Sequence, residues 1–294
     1  MGETGVDSAN DADIAVRPPV SPVVQPATAI LKGRFEYAWL REVLIIAGCY
    51  FAYQFIRGLA DLGARSRAYR HANWIVDLEK SMGIFVEQSI QQALLPIEWL
   101  ITLSNTYYGG MHFGFTIGIL AWLFFFRHEH YRRGRNVLAI MTLTAMVIFI
   151  VFPLAPPRLS TCNDGIPASG PEGPTIGKCF VDTLHVGGGP MSYQSPVAKA
   201  VANPYAAMPS LHFGWSAWCG LMLWWHAKRR IMGVLGVMHA LITLFVIVVT
   251  GNHYILDAVG GAIVLGWGVV AAGWLERRRS ASTSTAPVGD LVAA

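Results

Sequence analysis

Two short stretches of the chain place a histidine beside groups that could support phosphoryl chemistry. Residues 207–212 read Ala-Met-Pro-Ser-Leu-His, and residues 251–257 read Gly-Asn-His-Tyr-Ile-Leu-Asp. Pro209 suits the first turn of a helix, which would place His212 in the same turn, next to free backbone N–H groups that can bind an anion. His253 and Asp257 are four residues apart, so on a helix they share one face and can hydrogen-bond.

A carboxylate that holds one imidazole nitrogen leaves the other nitrogen free as a nucleophile or base. Two histidines, an orienting acid and an anion-binding helix start therefore suggest phosphoryl transfer. The candidate catalytic residues are His253, His212 and Asp257, and Ser210 is a candidate phosphate-binding residue.

The composition predicts an integral membrane protein. Of 294 residues, 53% are hydrophobic and only 14% are charged, and the mean hydropathy is +0.43. In an average soluble domain about a quarter of residues are charged. Residues 1–37 are polar and lack the apolar core of a secretory signal peptide, so they are predicted to form a disordered tail.

Apolar runs predict an all-α bundle of six transmembrane helices within residues 38–276. The runs are residues 40–56, 97–126, 137–154, 209–226, 231–250 and 254–275, close to the roughly 20 residues that cross a bilayer. The second run is longer than one perpendicular crossing needs, so we expect it to protrude or kink near Gly109-Gly110.

Three other segments are predicted to lie outside the spans. Residues 58–96 resemble an amphipathic helix at the membrane surface, with an apolar face of Trp74, Ile75, Leu78 and Met82. Residues 155–207 are rich in Pro and Gly and are predicted to form a long loop. Residues 277–294 are basic, then small and polar, and are predicted to be a disordered tail.

Lysine and arginine set the predicted orientation, because short cytoplasmic loops carry the excess of these residues. With the N-terminus cytoplasmic, the basic segments 127–135, 228–230 and 277–279 all lie inside. The competing cations are spread over the two long outer segments. We therefore predict that both termini are cytoplasmic, that residues 155–207 are extracytoplasmic, and that the protein is a multi-pass protein of the plasma membrane.

This topology brings Arg158, His212 and His253 to the same outer end of three spans, with Tyr108 and His112 near that level. Ionisable groups at membrane depth are costly and usually functional, so Arg158, Tyr108 and His112 are candidate substrate contacts. Simpler explanations stay open for two of them. Arg158 could merely extend to the interface, and His112 could be a packed or interfacial histidine.

The four cysteines are too few for a disulfide scaffold and lack the spacing of a metal site. Cys162 and Cys179 share the predicted outer loop, which faces the oxidising side of the membrane. They are predicted either to form a disulfide that closes this loop or to be two free thiols.

Three segments resemble the signatures of the type-2 phosphatidic acid phosphatase superfamily. They are Phe-Pro-Leu-Ala-Pro-Pro-Arg at residues 152–158, Met-Pro-Ser-Leu-His at 208–212, and His-Tyr-Ile-Leu-Asp at 253–257 with Gly260-Gly261 after it. The resemblance implies a six-helix bundle and catalysis through a phosphohistidine, without metal or cofactor. It also implies roles: His253 would attack phosphorus, Asp257 would orient it, His212 would protonate the leaving group, and Arg158 would help hold the phosphate.

The chain departs from the phosphatase branch of that superfamily at four points. Val151 replaces a lysine, Val246 and Ile247 replace a Ser-Arg pair, and Leu211 replaces the glycine of Pro-Ser-Gly-His. In these respects the chain resembles the inositol phosphorylceramide synthase branch, which transfers a phosphorylated headgroup between lipids. A site with fewer cations than the phosphatase branch suits a phosphodiester substrate, because a phosphodiester carries one negative charge fewer than a dianionic monoester.

Several alternatives stay open. A lipid phosphate phosphatase would share the phosphohistidine and differ only in using water as the acceptor. A transporter would need polar residues at mid-membrane on several helices, whereas the interiors of the third, fifth and sixth runs have almost no polar residues. A metalloenzyme could draw ligands from His212, His253 and Asp257, but His-Glu-x-x-His-type spacing is missing. We expect a lipid substrate in the bilayer and no nucleic acid partner.

Overall fold

The structure, a computed structural model, describes residues 64–159, 180–186 and 203–284 and, nearer the N-terminus, positions 2, 40, 44, 48 and 51. Contacts divide the chain into Met1–Gly48 and Cys49–Ala294, and every helix discussed below belongs to the second unit. The predicted N-terminal tail, most of the first predicted span, and Cys162 and Cys179 lie outside the described residues. Those assignments stay predictions.

Within the described ranges the chain is helical, and its one isolated β-bridge joins Leu154 to Ala206. This confirms the predicted helical class. In chain order the α-helices are α1 (Ala64–Ser81), α2 (Glu87–Leu94), α3 (Glu98–Thr106), α4 (His112–Phe126), α5 (His128–Val151), α6 (Thr183–Val186), α7 (Leu211–His226), α8 (Arg230–Val249) and α9 (Ile255–Ser284).

Four helical runs are long and apolar enough to cross a membrane, and they coincide with the second, third, fifth and sixth predicted spans. They are Glu98–Phe126, His128–Val151, Arg230–Val249 and Ile255–Arg279. The fourth predicted span is the 16-residue helix α7, which at about 1.5 Å per residue is shorter than a bilayer core of roughly 30 Å. The count of six spans and the orientation of the termini stay predictions. Helix α9 continues through Ser284, so the start of the predicted C-terminal tail is helical.

The segment predicted to be one amphipathic surface helix, residues 58–96, forms the two helices α1 and α2. Ile75 is buried, whereas Trp74 and Met82 are exposed by 57% and 56%. Glu79, predicted to lie on the polar face, is fully buried. Exposed apolar side chains are what a membrane-facing surface presents, so the assignment of this segment to the membrane surface stays a prediction.

The buried face of α1 packs against the chain segments that carry the signature motifs. Ala68 and Ala72 of α1 share a buried cluster with Leu154, Ala207 and Tyr254. The N–H of residue 155 also donates to the carbonyl of Ala68 at 3.2 Å. Tyr69 and Ile75 belong to the same cluster, so small and large side chains together form the contact face of α1.

Glu98–Phe126 is one continuous helical run, but five of its residues, Tyr107–Met111, form a π-helical turn. This turn contains Gly109-Gly110, where the sequence predicts an irregularity. A single π-turn inside an α-helix is frequently found at functional sites. The turn contains Tyr108 and directly precedes His112, two predicted site residues.

Gly261 allows the first turns of α9 to approach the start of α7. A Cβ added at Gly261 would lie 2.5 Å from the carbonyl oxygen of Ser210. In the same place the N–H of Ser210 donates to the carbonyl of Asp257 at 2.8 Å. Two segments distant in sequence are thus held in main-chain contact.

We expect Gly261→Ala to destabilise the protein by about 1–3 kcal/mol, because the added methyl group meets a backbone oxygen that cannot move aside cheaply. Gly266→Ala is the matched control: it lies on the same helix, and a Cβ there would meet nothing within 4 Å. Thermal unfolding in detergent measures both. Equal stability of the two variants would contradict the close approach.

Candidate active site

The start of α7 carries two predicted site residues. Ser210 is the N-cap, and its Oγ accepts a hydrogen bond from the N–H of Phe213 at 3.3 Å. His212 lies in the first turn, as predicted. Pro209 does not, because Ser210 caps the helix and its first residue is Leu211; that part of the prediction is wrong.

His253 lies in the short loop between α8 and α9. Gly251 follows the end of α8 with φ +66, a left-handed conformation that favours glycine, and the N–H of His253 donates to the carbonyl of Ile247 at 3.1 Å. Because α9 begins at Ile255, His253 and Asp257 do not share a helix, and the predicted reason for their contact is wrong. The contact itself forms, with His253 Nδ1 3.3 Å from Asp257 Oδ2.

The imidazole of His253 is oriented by a main-chain carbonyl as well as by the carboxylate. Its Nδ1 lies 2.9 Å from the carbonyl oxygen of Ala207, closer than it lies to Asp257. A carbonyl oxygen can only accept, so Nδ1 carries the hydrogen and Nε2 keeps its lone pair. The sequence gives no signal for this contact, because any residue type at position 207 would offer the same carbonyl.

The Nε2 of His253 faces His212. The two atoms in contact are His253 Nε2 and His212 Nδ1, 3.4 Å apart, so His212 is the donor in this contact. The ring of Tyr108 stacks on His212 with 4.2 Å between centroids, and the ring of His112 lies 4.3 Å away. The structure therefore brings together His253, Asp257, His212, Tyr108 and His112.

Arg158 lies beside the same loop, but its guanidinium is already paired. Its main-chain N–H donates to the carbonyl of Gly251 at 2.7 Å, two residues before His253. Its Nη1 lies 2.7 Å from Oδ2 of Asp182, and both side chains are largely buried. Sequence reasoning missed Asp182, because residues 155–207 show no periodicity that would single out one acid.

A second feature missed from the sequence is a group of three buried carboxyl side chains, Glu79, Glu87 and Asp257. They accept hydrogen bonds from the successive main-chain N–H groups of residues 254–256 at 2.8–2.9 Å. Burial, together with the neighbouring Glu87, raises the pKa of the Glu79 carboxyl well above its ordinary value. The sequence could have flagged Glu79 and Glu87 only if α1 and α2 had been placed against α9.

Helix α8 is more polar inside than the sequence indicated. The hydroxyl of Tyr107 lies 2.6 Å from Nδ1 of His239 and 2.9 Å from Oγ1 of Thr243, and that Oγ1 lies 2.8 Å from Oγ of Ser216. The interior of the fifth predicted span is therefore not bare. The sequence argument against a transporter assumed that this span has no polar residues in its interior. The network removes that argument.

In the part of the chain that the structure describes, no group of three or more His, Cys, Asp or Glu side chains is arranged to hold a metal ion. Instead, His253 contacts His212 through one ring nitrogen and Asp257 through the other. This arrangement offers a nucleophilic nitrogen with an adjacent proton donor.

A family model described as PAP2 superfamily matches residues 73–271, more than half of the chain. The matched range contains every site residue discussed above. Comparisons with curated proteins and with solved structures gave no significant match.

Proposed function

The chain belongs to the PAP2 superfamily, and from this membership we propose that it is a membrane phosphotransferase of lipid metabolism that works through a phosphohistidine. Members of the superfamily are generally phosphatases or phosphotransferases. The observation that carries the proposal is the geometry of His253. Its Nδ1–H is held by the Ala207 carbonyl and by Asp257, so its Nε2 presents a lone pair beside His212.

In the first step, Nε2 of His253 forms a bond to phosphorus of the donor lipid, and the bond between phosphorus and the leaving oxygen breaks. A protonated His212 gives its proton to that oxygen, which leaves as an alcohol. Asp257 stabilises the positive charge that develops on the His253 ring. No cofactor takes part in this step.

In the second step, the hydroxyl of an acceptor attacks the phosphohistidine, and the bond between phosphorus and Nε2 breaks. His212, now neutral, takes the proton of the acceptor hydroxyl, which restores both histidines. His112 is suited to bind that hydroxyl, since its buried ring lies 4.3 Å from the ring of His212. Ser210, Tyr108 and Arg158 are proposed to hold the phosphate and the lipid headgroup.

Charge favours a phosphodiester donor, as used by inositol phosphorylceramide synthases, over a dianionic monoester. Two positions at which the phosphatase branch has a Ser-Arg pair, Val246 and Ile247, are buried apolar residues. The remaining signature cation, Arg158, is paired with Asp182. A site with little net positive charge suits a phosphate that carries a single negative charge.

The alternative activity is that of a lipid phosphate phosphatase acting on a phosphatidate-type or polyprenyl phosphate, with water as acceptor. The two activities share the first step, so product analysis separates them. Purified protein would be incubated with radiolabelled phospholipids, with and without alcohol acceptors, in a strong chelator. A labelled lipid product that depends on the acceptor supports the transferase, release of inorganic phosphate supports the phosphatase, and activity that zinc restores after chelation contradicts both.

We also propose that the site faces the extracytoplasmic side of the plasma membrane. In intact cells treated with a mild reductant, Cys162 and Cys179 should react with a membrane-impermeant maleimide. A cysteine introduced by Arg132→Cys, in the basic segment 127–135 at the start of α5, should react only after permeabilisation. The reverse pattern would refute the orientation.

A further inference from the structure

The carboxyl groups of Glu79 and Glu87 have no part in the two chemical steps, yet they accept hydrogen bonds from the helix that carries Asp257. Oε1 of Glu79 accepts from the N–H of Leu256, and Oε1 of Glu87 accepts from the N–H of Ile255, both at 2.8 Å. Both glutamates are fully buried. They reach this helix from α1 and α2, 177 and 168 residues away in sequence.

The first N–H groups of an α-helix have no partner inside the helix and must be satisfied from outside. In α9 the carboxyl groups of residues on other helices do this. Asp257 completes the set by accepting from the N–H of Tyr254 at 2.9 Å. The first turn of α9 is therefore anchored to α1 and α2 by buried hydrogen bonds.

The same turn is the junction of the proposed active site. The carbonyl of Asp257 accepts from the N–H of Ser210, which caps the helix of His212, while its carboxylate contacts His253. A shift of this turn would therefore move the carboxylate, the nucleophile and the proton donor relative to one another. Misplacement by about 1 Å can reduce turnover by about 100-fold.

Each carboxyl of the cluster has a second oxygen that is buried and, within the described residues, accepts no further hydrogen bond: Oε2 of Glu79, Oε2 of Glu87 and Oδ1 of Asp257. Adjacent buried carboxylates cannot all be ionised at low cost. The raised pKa of the Glu79 carboxyl, caused by burial and by the neighbouring Glu87, favours its protonated form and so relieves this repulsion.

We propose that Glu79 and Glu87 are positioning residues, which hold the first turn of α9 so that Asp257, His253 and His212 keep their catalytic geometry. The expected effect of these residues on turnover rests on the proposed function. Their expected effect on the stability of the first turn of α9 rests on the hydrogen bonds alone.

The test compares alanine with glutamine at each position. Glu79→Ala removes the acceptor for Leu256 and should lower kcat by about 10- to 100-fold, with KM changed less than about twofold, because substrate contacts stay intact. Glu79→Gln should stay within about threefold of wild type, since its amide oxygen still accepts from Leu256 and the amide is as neutral as the protonated carboxyl. The same contrast is expected for Glu87.

Trp218→Phe is the control for a general loss of stability. It removes another buried hydrogen bond, from Nε1 to the carbonyl of Gly134 at 3.0 Å, in a core cluster that does not include the active-site residues. It should lower the unfolding temperature without changing kcat at temperatures where the protein is folded. Wild-type kcat in Glu79→Ala, or a loss in Glu79→Gln equal to that in Glu79→Ala, would overturn the proposal.

Hydrogen–deuterium exchange separates this inference from the proposed function, because it needs no substrate. The amides of residues 254–257 should exchange at least about 10-fold faster in Glu79→Ala than in Glu79→Gln or Trp218→Phe, since a lost buried hydrogen bond exposes them to opening. Unchanged exchange would overturn the inference whatever the enzyme acts on. Absence of any turnover of lipid phosphates by the wild type would instead refute the proposed function.

Discussion

His253→Ala should abolish both turnover and the trapping of a labelled phosphoenzyme, lowering kcat by roughly 10⁴-fold or more. The expected loss is this large because the variant removes the nucleophile itself: Nε2 of His253 is the atom that the Ala207 carbonyl and Asp257 orient through Nδ1, and no other imidazole at the site has both contacts. Acid-labile label bound to the protein after a rapid quench, measured alongside product formation, checks both expectations.

His128→Ala is a suitable control, because this histidine lies at the start of α5 and contacts the carbonyl of Phe124. It should keep near-wild-type turnover. The double variant His253→Ala/Asp257→Ala should be little worse than His253→Ala alone, since residues that act as one unit are not additive. Near-wild-type turnover in His253→Ala would refute the phosphohistidine mechanism.

Asp257→Asn should lower kcat by about 100-fold, much less than the roughly 10⁴-fold loss seen when a carboxylate alone sets the tautomer of a catalytic histidine. The reason is the Ala207 carbonyl, which lies 2.9 Å from Nδ1 of His253 and keeps the hydrogen on that nitrogen. What the variant loses is a hydrogen bond to a charged group, worth about 1.5–3 kcal/mol. Single-turnover kinetics of phosphoenzyme formation measure the loss at the chemical step.

Glu276→Gln is the matched charge-removing control, because this half-buried glutamate lies near the far end of α9 and pairs with Arg133. It should leave the rate of phosphoenzyme formation unchanged. A loss of 10⁴-fold or more in Asp257→Asn would show that the carbonyl of Ala207 does not hold the tautomer. A loss below about threefold would show that the charge of Asp257 does not stabilise the reacting ring.

The sequence by itself determined the membrane-capable helices and most of the residues that meet at the candidate site. Long apolar runs produce helices wherever they occur, because a backbone without water must bond to itself, and four of the six predicted runs are membrane-capable helices. The signature motifs placed Arg158, His212 and His253 at the ends of such runs. Helix ends that share one level can meet, and the two histidines do so at 3.4 Å.

Only the tertiary structure decided how those residues are held and which further groups surround them. The carbonyl of Ala207 orients His253, Asp182 neutralises Arg158, and Glu79 and Glu87 anchor the first turn of α9. None of these has a sequence signature, for two physical reasons. First, a backbone carbonyl is the same in every residue type. Second, a carboxylate on an amphipathic helix is predicted to be exposed to solvent. Its burial becomes favourable only when the start of another helix packs against it and supplies free N–H groups.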